Sequence, residues 1–244
     1  MQIIASVLKK TTTGSNCRSF FRKMALIIAL LGVLMGCGQN SPTPAPLPTA
    51  TAMPAASPTD GVIVAMGDSL TEGLGVNLDE AYPAQLERKL RAAGYHYTVI
   101  NAGVSGETTT GALARVDWVL TLKPDLVILA TGGNDSLRAI DPALTKENIR
   151  KLVQAFQQAN VPVILAGMQT VQNLGEEYTN AFRAIYPAVA DEYKLPLIPF
   201  FLEGVAGDPK LNQPDFIHPT ADGYTIVVET IYPYVVAALE QLKQ

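Results

Sequence analysis

Five short apolar runs recur from Gly61 onward, each followed by a stretch of different rhythm: "VIVAM", "YTVINAG", "DLVILATGG", "VPVILAGM" and "LPLIPF". Runs this short and this apolar read as strands buried on both faces, the pattern of a parallel sheet. Between and after them lie helical patterns. "YPAQLERKLRAAG" stops at Gly94, and "TTGALARVDWVLTLK" reads as one helix halted before Pro124. "TKENIRKLVQAFQQAN" carries Thr145 and Asn148 near its start, Pro187 should interrupt "EEYTNAFRAIYPAVADEY", and "TADGYTIVVETIYPYVVAALEQL" closes the chain. Strand and helix in alternation predict an α/β fold, a five-stranded parallel sheet with helices on both faces. In such sheets ligands gather at the carboxyl ends of the strands, where successive connections leave in opposite directions.

The chain supports one such domain. Its 244 residues are 48% hydrophobic and 16% charged, enough for a full core, and no internal repeat or second domain is visible. The net charge of −4 comes with no long basic run, which argues against a nucleic-acid partner.

The first sixty residues follow another logic. Lys9, Lys10, Arg18, Arg22 and Lys23 precede "MALIIALLGVLMG", an apolar run too short to span a bilayer comfortably but right for the core of a secretory signal. "LMGC" resembles the bacterial lipobox, with Met35 where a smaller residue is usual. Residues 1–37 are therefore expected to be a signal peptide ending in Cys37, the site of cleavage and lipidation, and the protein an exported lipoprotein of the cell envelope. An ordinary secreted or periplasmic protein is the alternative. With Cys17 inside the presumed signal, a processed chain keeps one cysteine and forms no internal disulfide. Residues 38–60, rich in Pro, Thr, Ala and Ser, read as an extended tether. Residues 61–244 make the folded domain.

Four polar segments are expected on the carboxyl edge: "GDSL" after strand one, "GVSGETT" after strand two, "GGNDS" after strand three and "DFIH" after strand five. A serine hydrolase needs a nucleophile, a base, an orienting acid and donors for the developing oxyanion. The chain has only two histidines. His96 stands at the entrance to strand two, on the amino edge, so His218 is the candidate base for Ser69. Asp215, three residues earlier, can accept from one ring nitrogen while the other faces Ser69. Each segment also has a plainer reading. "GDS" is good turn sequence, and Asp68 is taken as a turn-former rather than the acid. The glycines of "GVSGETT" can serve only to supply positive φ. Asn134 can bond its own turn, and "DFIHPT" can be helix-entry chemistry with a capping threonine.

In this order, the four segments resemble the blocks of the SGNH (GDSL) hydrolase superfamily. "NAGVSGETT", "GGNDSLR", "NAFRAIYPAVADEYKLPLIPFF" and "IHP" are most similar to its thioesterase I, lysophospholipase L1 and arylesterase branch. The likeness runs from Val62 to about Leu239. It implies a three-layer α/β/α, flavodoxin-like fold, with Ser69 as nucleophile, His218 as base and Asp215 as orienting acid. The implied oxyanion hole comprises the N–H groups of Ser69 and Gly106 and the side chain of Asn134, and no metal or organic cofactor is implied. The expected activity is hydrolysis of carboxylic esters or thioesters through an acyl-enzyme, with a lysophospholipid or another envelope ester as substrate. A carbohydrate O-acetylesterase, or a non-catalytic surface lipoprotein that only binds, is the alternative. Phe216 stands where this branch often has glycine, and "MQTVQNLGEEYT" departs from the pattern of a region that shapes the acyl pocket.

Overall fold

The computed structural model describes residues 59–170 and 172–243. The expected signal peptide, Cys37 and nearly all of the expected tether lie outside them. Thr59 and Asp60, the last residues assigned to the tether, are already part of the fold: Thr59 Oγ1 donates to His96 O at 2.9 Å, and Asp60 exchanges bonds with His96 N and O. His96 itself sits at the amino edge, as its position before strand two predicts.

The sheet has five parallel strands, β1 (Gly61–Gly67), β2 (Tyr97–Gly103), β3 (Leu126–Ala130), β4 (Val163–Ala166) and β5 (Leu197–Ile198), in the order β2-β1-β3-β4-β5. From β1 the chain steps outward to β2, then crosses back past β1 to β3 and continues in that direction. Right-handed crossovers place helices from steps in opposite directions on opposite faces. Accordingly α2 (Tyr82–Ala92), from the first step, shares a face with the closing helix. The helices of the later steps, α3 (Thr109–Ala114), α4 (Val116–Thr121), α6 (Pro142–Gln158), α7 (Glu176–Arg183) and α8 (Ile185–Tyr193), pack with one another on the other. The closing helix, α9 (Ala221–Leu242), lies against α2, β4 and β5. Every residue of β3 and β4 is buried, as are Ile63 to Gly67 of β1, so the continuous apolar runs form the middle of the core.

Local differences from the pattern have physical causes. The expected single helix after β2 breaks at Arg115, whose N–H bonds Ala112 O at 3.2 Å and whose guanidinium is tied to the ends of β1 and β2. The helix after β3 starts at Pro142, with Asp141 accepting from Ala143 N at 2.8 Å, and this turns Thr145 and Asn148 inward rather than making them caps. The interruption expected from Pro187 falls at Ala184, because a proline at 187 offers no N–H to Arg183 O. Strand β5 is two residues long because Pro196 and Pro199 bracket it and neither can donate to a neighbour. Pro233 sits inside α9, which continues past it.

One close approach sets the site. A Cβ built on Gly103, the last residue of β2, would lie 2.1 Å from the backbone nitrogen of Glu72. Only glycine lets the end of β2 meet the segment that follows β1.

Candidate active site

Strand β1 ends at Gly67 and runs into a single helical turn, α1 (Ser69–Glu72). Asp68 caps it, its carboxylate accepting from Leu70 N at 3.0 Å, so the turn reading of "GDS" is correct and Ser69 becomes the first helical residue. Burial pushes the Asp68 carboxyl up to about 6, against bonds from Leu70 N and the Asn134 amide and the nearby His218 ring. The folded state therefore keeps a proton that the unfolded chain loses near 3.8, and this group costs stability as pH rises from there through about 6.

The loop before α9 brings His218 to Ser69. Ser69 Oγ lies 2.8 Å from Nε2 of the ring, and Nδ1 lies 2.6 Å from Asp215 Oδ2. The other carboxylate oxygen, Oδ1, accepts from Ile217 N at 2.9 Å and His218 N at 3.0 Å. Partial burial works against the Asp215 charge, and the N–H and ring of His218 with the N–H of Ile217 outweigh it, holding the carboxyl at about 2. The stability added by this pairing is complete above the ordinary 3.8 and is lost as pH falls through about 2. An ionised carboxylate only accepts, so Nδ1 carries the proton. In the neutral ring Nε2 is then the acceptor, and the Ser69 hydroxyl donates to it. The capping reading of "DFIHPT" holds as well: Thr220 Oγ1 accepts from Gly223 N at 3.2 Å and starts α9.

Gly106 and Asn134 come to the same edge. Gly106, in the loop after β2, has φ +76°, the conformation its glycine permits. No described residue accepts the N–H of Ser69 or of Gly106. Asn134 lies in α5 (Gly133–Leu137), the single turn that follows β3, and donates through Nδ2 to Asp68 Oδ2 at 3.2 Å. That amide has two hydrogens, so one remains beyond the bond to Asp68. Ser69, Gly106, Asn134, Asp215 and His218 thus all stand at the carboxyl edge, in loops or in the single helical turns that follow the strands.

Several supporting residues carry no local sequence signal. Glu72 accepts from Ser105 N at 2.9 Å and also bonds the Ser105 hydroxyl, clamping the peptide before Gly106 to α1. Glu107 pairs with Arg115 at 2.7 Å, and the guanidinium also donates to Ala102 O at 2.9 Å. Arg138 Nη2 donates to Gly106 O at 2.8 Å. Asp135, fully buried, accepts from Thr109 N at 2.8 Å and joins the loop after β3 to α3. Most of these contacts join residues distant in sequence, so only the fold reveals them. Among the described residues no cluster of three or more His, Cys, Asp or Glu side chains could hold a metal ion, and no helix is long and apolar enough to cross a membrane. The departing segment after β4 ends in α7, and Leu174 ahead of that helix with Glu177, Tyr178 and Ala181 within it lines a cavity of about 420 Å³ together with Asp141, Pro142 and Ala143.

Several known proteins are similar to this chain. The sequence model of the GDSL-like lipase/acylhydrolase family matches residues 65–226. Esterase TesA of Pseudomonas aeruginosa is 38% identical over 172 residues, 70% of this chain and 86% of the relative. A crystal structure of TesA, 38% identical, superposes with a TM-score of 0.68, covering 70% of this chain and 96% of that one. Thioesterase 1/protease 1/lysophospholipase L1 of Escherichia coli K12 is 36% identical over 168 residues, 68% of this chain and 79% of the relative. The crystal structure of AlinE4, an SGNH-hydrolase family esterase, is 43% identical with a TM-score of 0.63, covering 75% of this chain and 99% of that one.

Proposed function

This chain belongs to the GDSL-like lipase/acylhydrolase family and is an ester-bond hydrolase, and on that premise we propose that Ser69, His218 and Asp215 perform acyl transfer by way of an acyl-enzyme. The single observation that carries the roles is the unbroken run from Ser69 Oγ to His218 Nε2 at 2.8 Å and from His218 Nδ1 to Asp215 Oδ2 at 2.6 Å. As Ser69 Oγ bonds the carbonyl carbon, its proton passes to Nε2. The carbonyl oxygen takes the negative charge, facing the N–H groups of Ser69 and Gly106 and the second amide hydrogen of Asn134. Each donor of this kind contributes about 3–4 kcal/mol to the transition state. The carbon–oxygen or carbon–sulfur bond to the leaving group then breaks, and the leaving group receives the proton from Nε2. Water, deprotonated by the same nitrogen, repeats the sequence and frees the acid and Ser69.

The substrate is a carboxylic ester or thioester with a small or medium acyl chain. Residues 1–37 hold the signal peptide and the cysteine at which it is cleaved, Cys37 stays on the mature protein and carries the lipid, and the segment up to residue 58 tethers the domain, so the enzyme works on esters at the cell envelope. The support for this part is the charge pattern, the length of the apolar run and the "LMGC" sequence.

Two measurements test these roles. A fluorophosphonate is expected to add a single phosphonyl group to the intact protein, on the peptide that contains Ser69. Labelling elsewhere, or none on folded protein, removes Ser69 as nucleophile. Mass spectrometry of the mature protein from a bacterial host is expected to find acylated Cys37 at the amino terminus, and an unmodified start downstream of Cys37 refutes the anchor.

A further inference from the structure

Between the two residues that pair at the site, Phe216 adopts φ +59°. This is the left-handed region, which costs a bulky side chain conformational energy and which glycine or asparagine occupies more easily. Packing does not offset that cost, because Phe216 is 60% exposed. Strain kept without burial, beside reacting groups, points to a role for the side chain itself. The turn also fixes where that side chain is held. Phe216 N donates to Gln213 O at 2.9 Å, and the next two N–H groups both bond Asp215 Oδ1.

Two more exposed apolar residues belong to the same lip. Ile217, the next residue, is 38% exposed, and Leu74 is 45% exposed. Leu74 is joined to the turn through Gln213, whose Nε2 donates to Leu74 O at 2.7 Å, and to the nucleophile segment by its own N–H on Ser69 O at 3.1 Å. The only carboxylate in the turn, Asp215, is engaged by three donors. The turn therefore presents apolar side chains and one already-paired carboxylate next in sequence to His218.

We infer that Phe216, with Ile217 and Leu74, binds the alcohol portion of the substrate and selects esters of apolar alcohols. This rests on the acyl-transfer reading above. His218 must hand its proton to the leaving oxygen, while the carbonyl oxygen faces the N–H donors at Ser69 and Gly106, so the leaving group departs past the His218 ring and its neighbours in the turn. An alkyl or aryl alcohol covers apolar surface there. A glycerophosphate-bearing alcohol, as in a lysophospholipid, brings a charge with no cation in the turn to meet it. Within the substrates considered above, the lip favours simple alkyl and aryl esters.

The test holds the acyl group constant and varies only the alcohol, using ethyl and hexyl acetate, whose leaving groups have similar basicity. The wild-type enzyme is expected to prefer hexyl acetate in kcat/KM. Phe216→Gly and Phe216→Asn, both suited to a left-handed turn, are expected to cut the hexyl-to-ethyl ratio by about tenfold, within the range that one apolar contact contributes to discrimination. Phe216→Leu, which keeps an apolar side chain, should retain most of the preference. Melting temperatures of the Gly and Asn variants should not fall. An unchanged ratio in both variants overturns the inference. So does an equal loss on both esters with a lowered melting temperature, which would mean that Phe216 serves only to hold the turn. Failure of the acyl-transfer reading looks different, since Ser69→Ala would then leave both esters hydrolysed at wild-type rates.

Discussion

Ser69→Ala and His218→Ala are each expected to lower kcat for a 4-nitrophenyl ester by about a millionfold, and the double variant to lose no more than either alone. The reason is that the two side chains act as one device. A neutral hydroxyl attacks poorly, and the 2.8 Å contact with Nε2 is its route for losing the proton as the new bond forms. Once the ring is gone the hydroxyl has no base, and once the hydroxyl is gone the ring has nothing to activate. What remains is the pull of the oxyanion donors and of binding, worth about 10³–10⁴ over water in enzymes of this type. The chain has no second histidine to recruit at the site, because His96 stands at the amino edge of the sheet, where its backbone N–H bonds Asp60. Melting curves should show both variants folded. If His218→Ala retained even a tenth of the wild-type rate, the base would have to be another group and the proposed roles would collapse.

Most of this arrangement is legible in the residues, for a simple reason. Burial on both faces forces β1, β3 and β4 to be apolar along their length, so they stand out, and a parallel sheet then sends "GDSL", "GVSGETT", "GGNDS" and "DFIH" to one edge regardless of side-chain detail. Local rules also anticipate the turn at Asp68, the Thr220 cap and the break caused by Pro187, since these depend on residues within one turn, though not that Asp68 itself caps α1. Contacts set by tertiary closeness escape such rules. Glu72 meets Ser105 only because the end of β2 runs against α1, and Arg115 leaves the helical path where it reaches back to Gly67 O and Ala102 O. Short elements escape as well. α1 and α5 are single turns, too brief to show a period, and β5 is cut to two residues by its prolines. The conformation of Phe216 shows only through the resemblance, which often has glycine at that place, and not in the residue itself. A left-handed turn normally announces itself by glycine, and here an aromatic residue occupies it.

Asp215→Asn, a nearly isosteric change, is expected to cost about 10⁴ in kcat, as much as truncation of the orienting acid would. The hydrogen bonds around the carboxylate dictate which way the new amide must point. Oδ1 accepts two backbone N–H groups, from Ile217 and His218. In the variant the amide oxygen must keep those donors, because an NH₂ group turned toward two N–H groups would leave all of them unpaired. The amide NH₂ therefore faces Nδ1, where Oδ2 had accepted at 2.6 Å. A donor against Nδ1 selects the tautomer in which Nδ1 is bare and Nε2 holds the proton, and that nitrogen cannot take another from Ser69 while the ring stays neutral. The turn survives, the distances survive, and the base is switched off by the position of one hydrogen. Steady-state kinetics should show the loss in kcat with KM little changed, and nitrogen-15 NMR of the ring should show the tautomer reversed relative to wild type. A variant within tenfold of wild-type kcat would mean that Asp215 supports the loop without setting the ring.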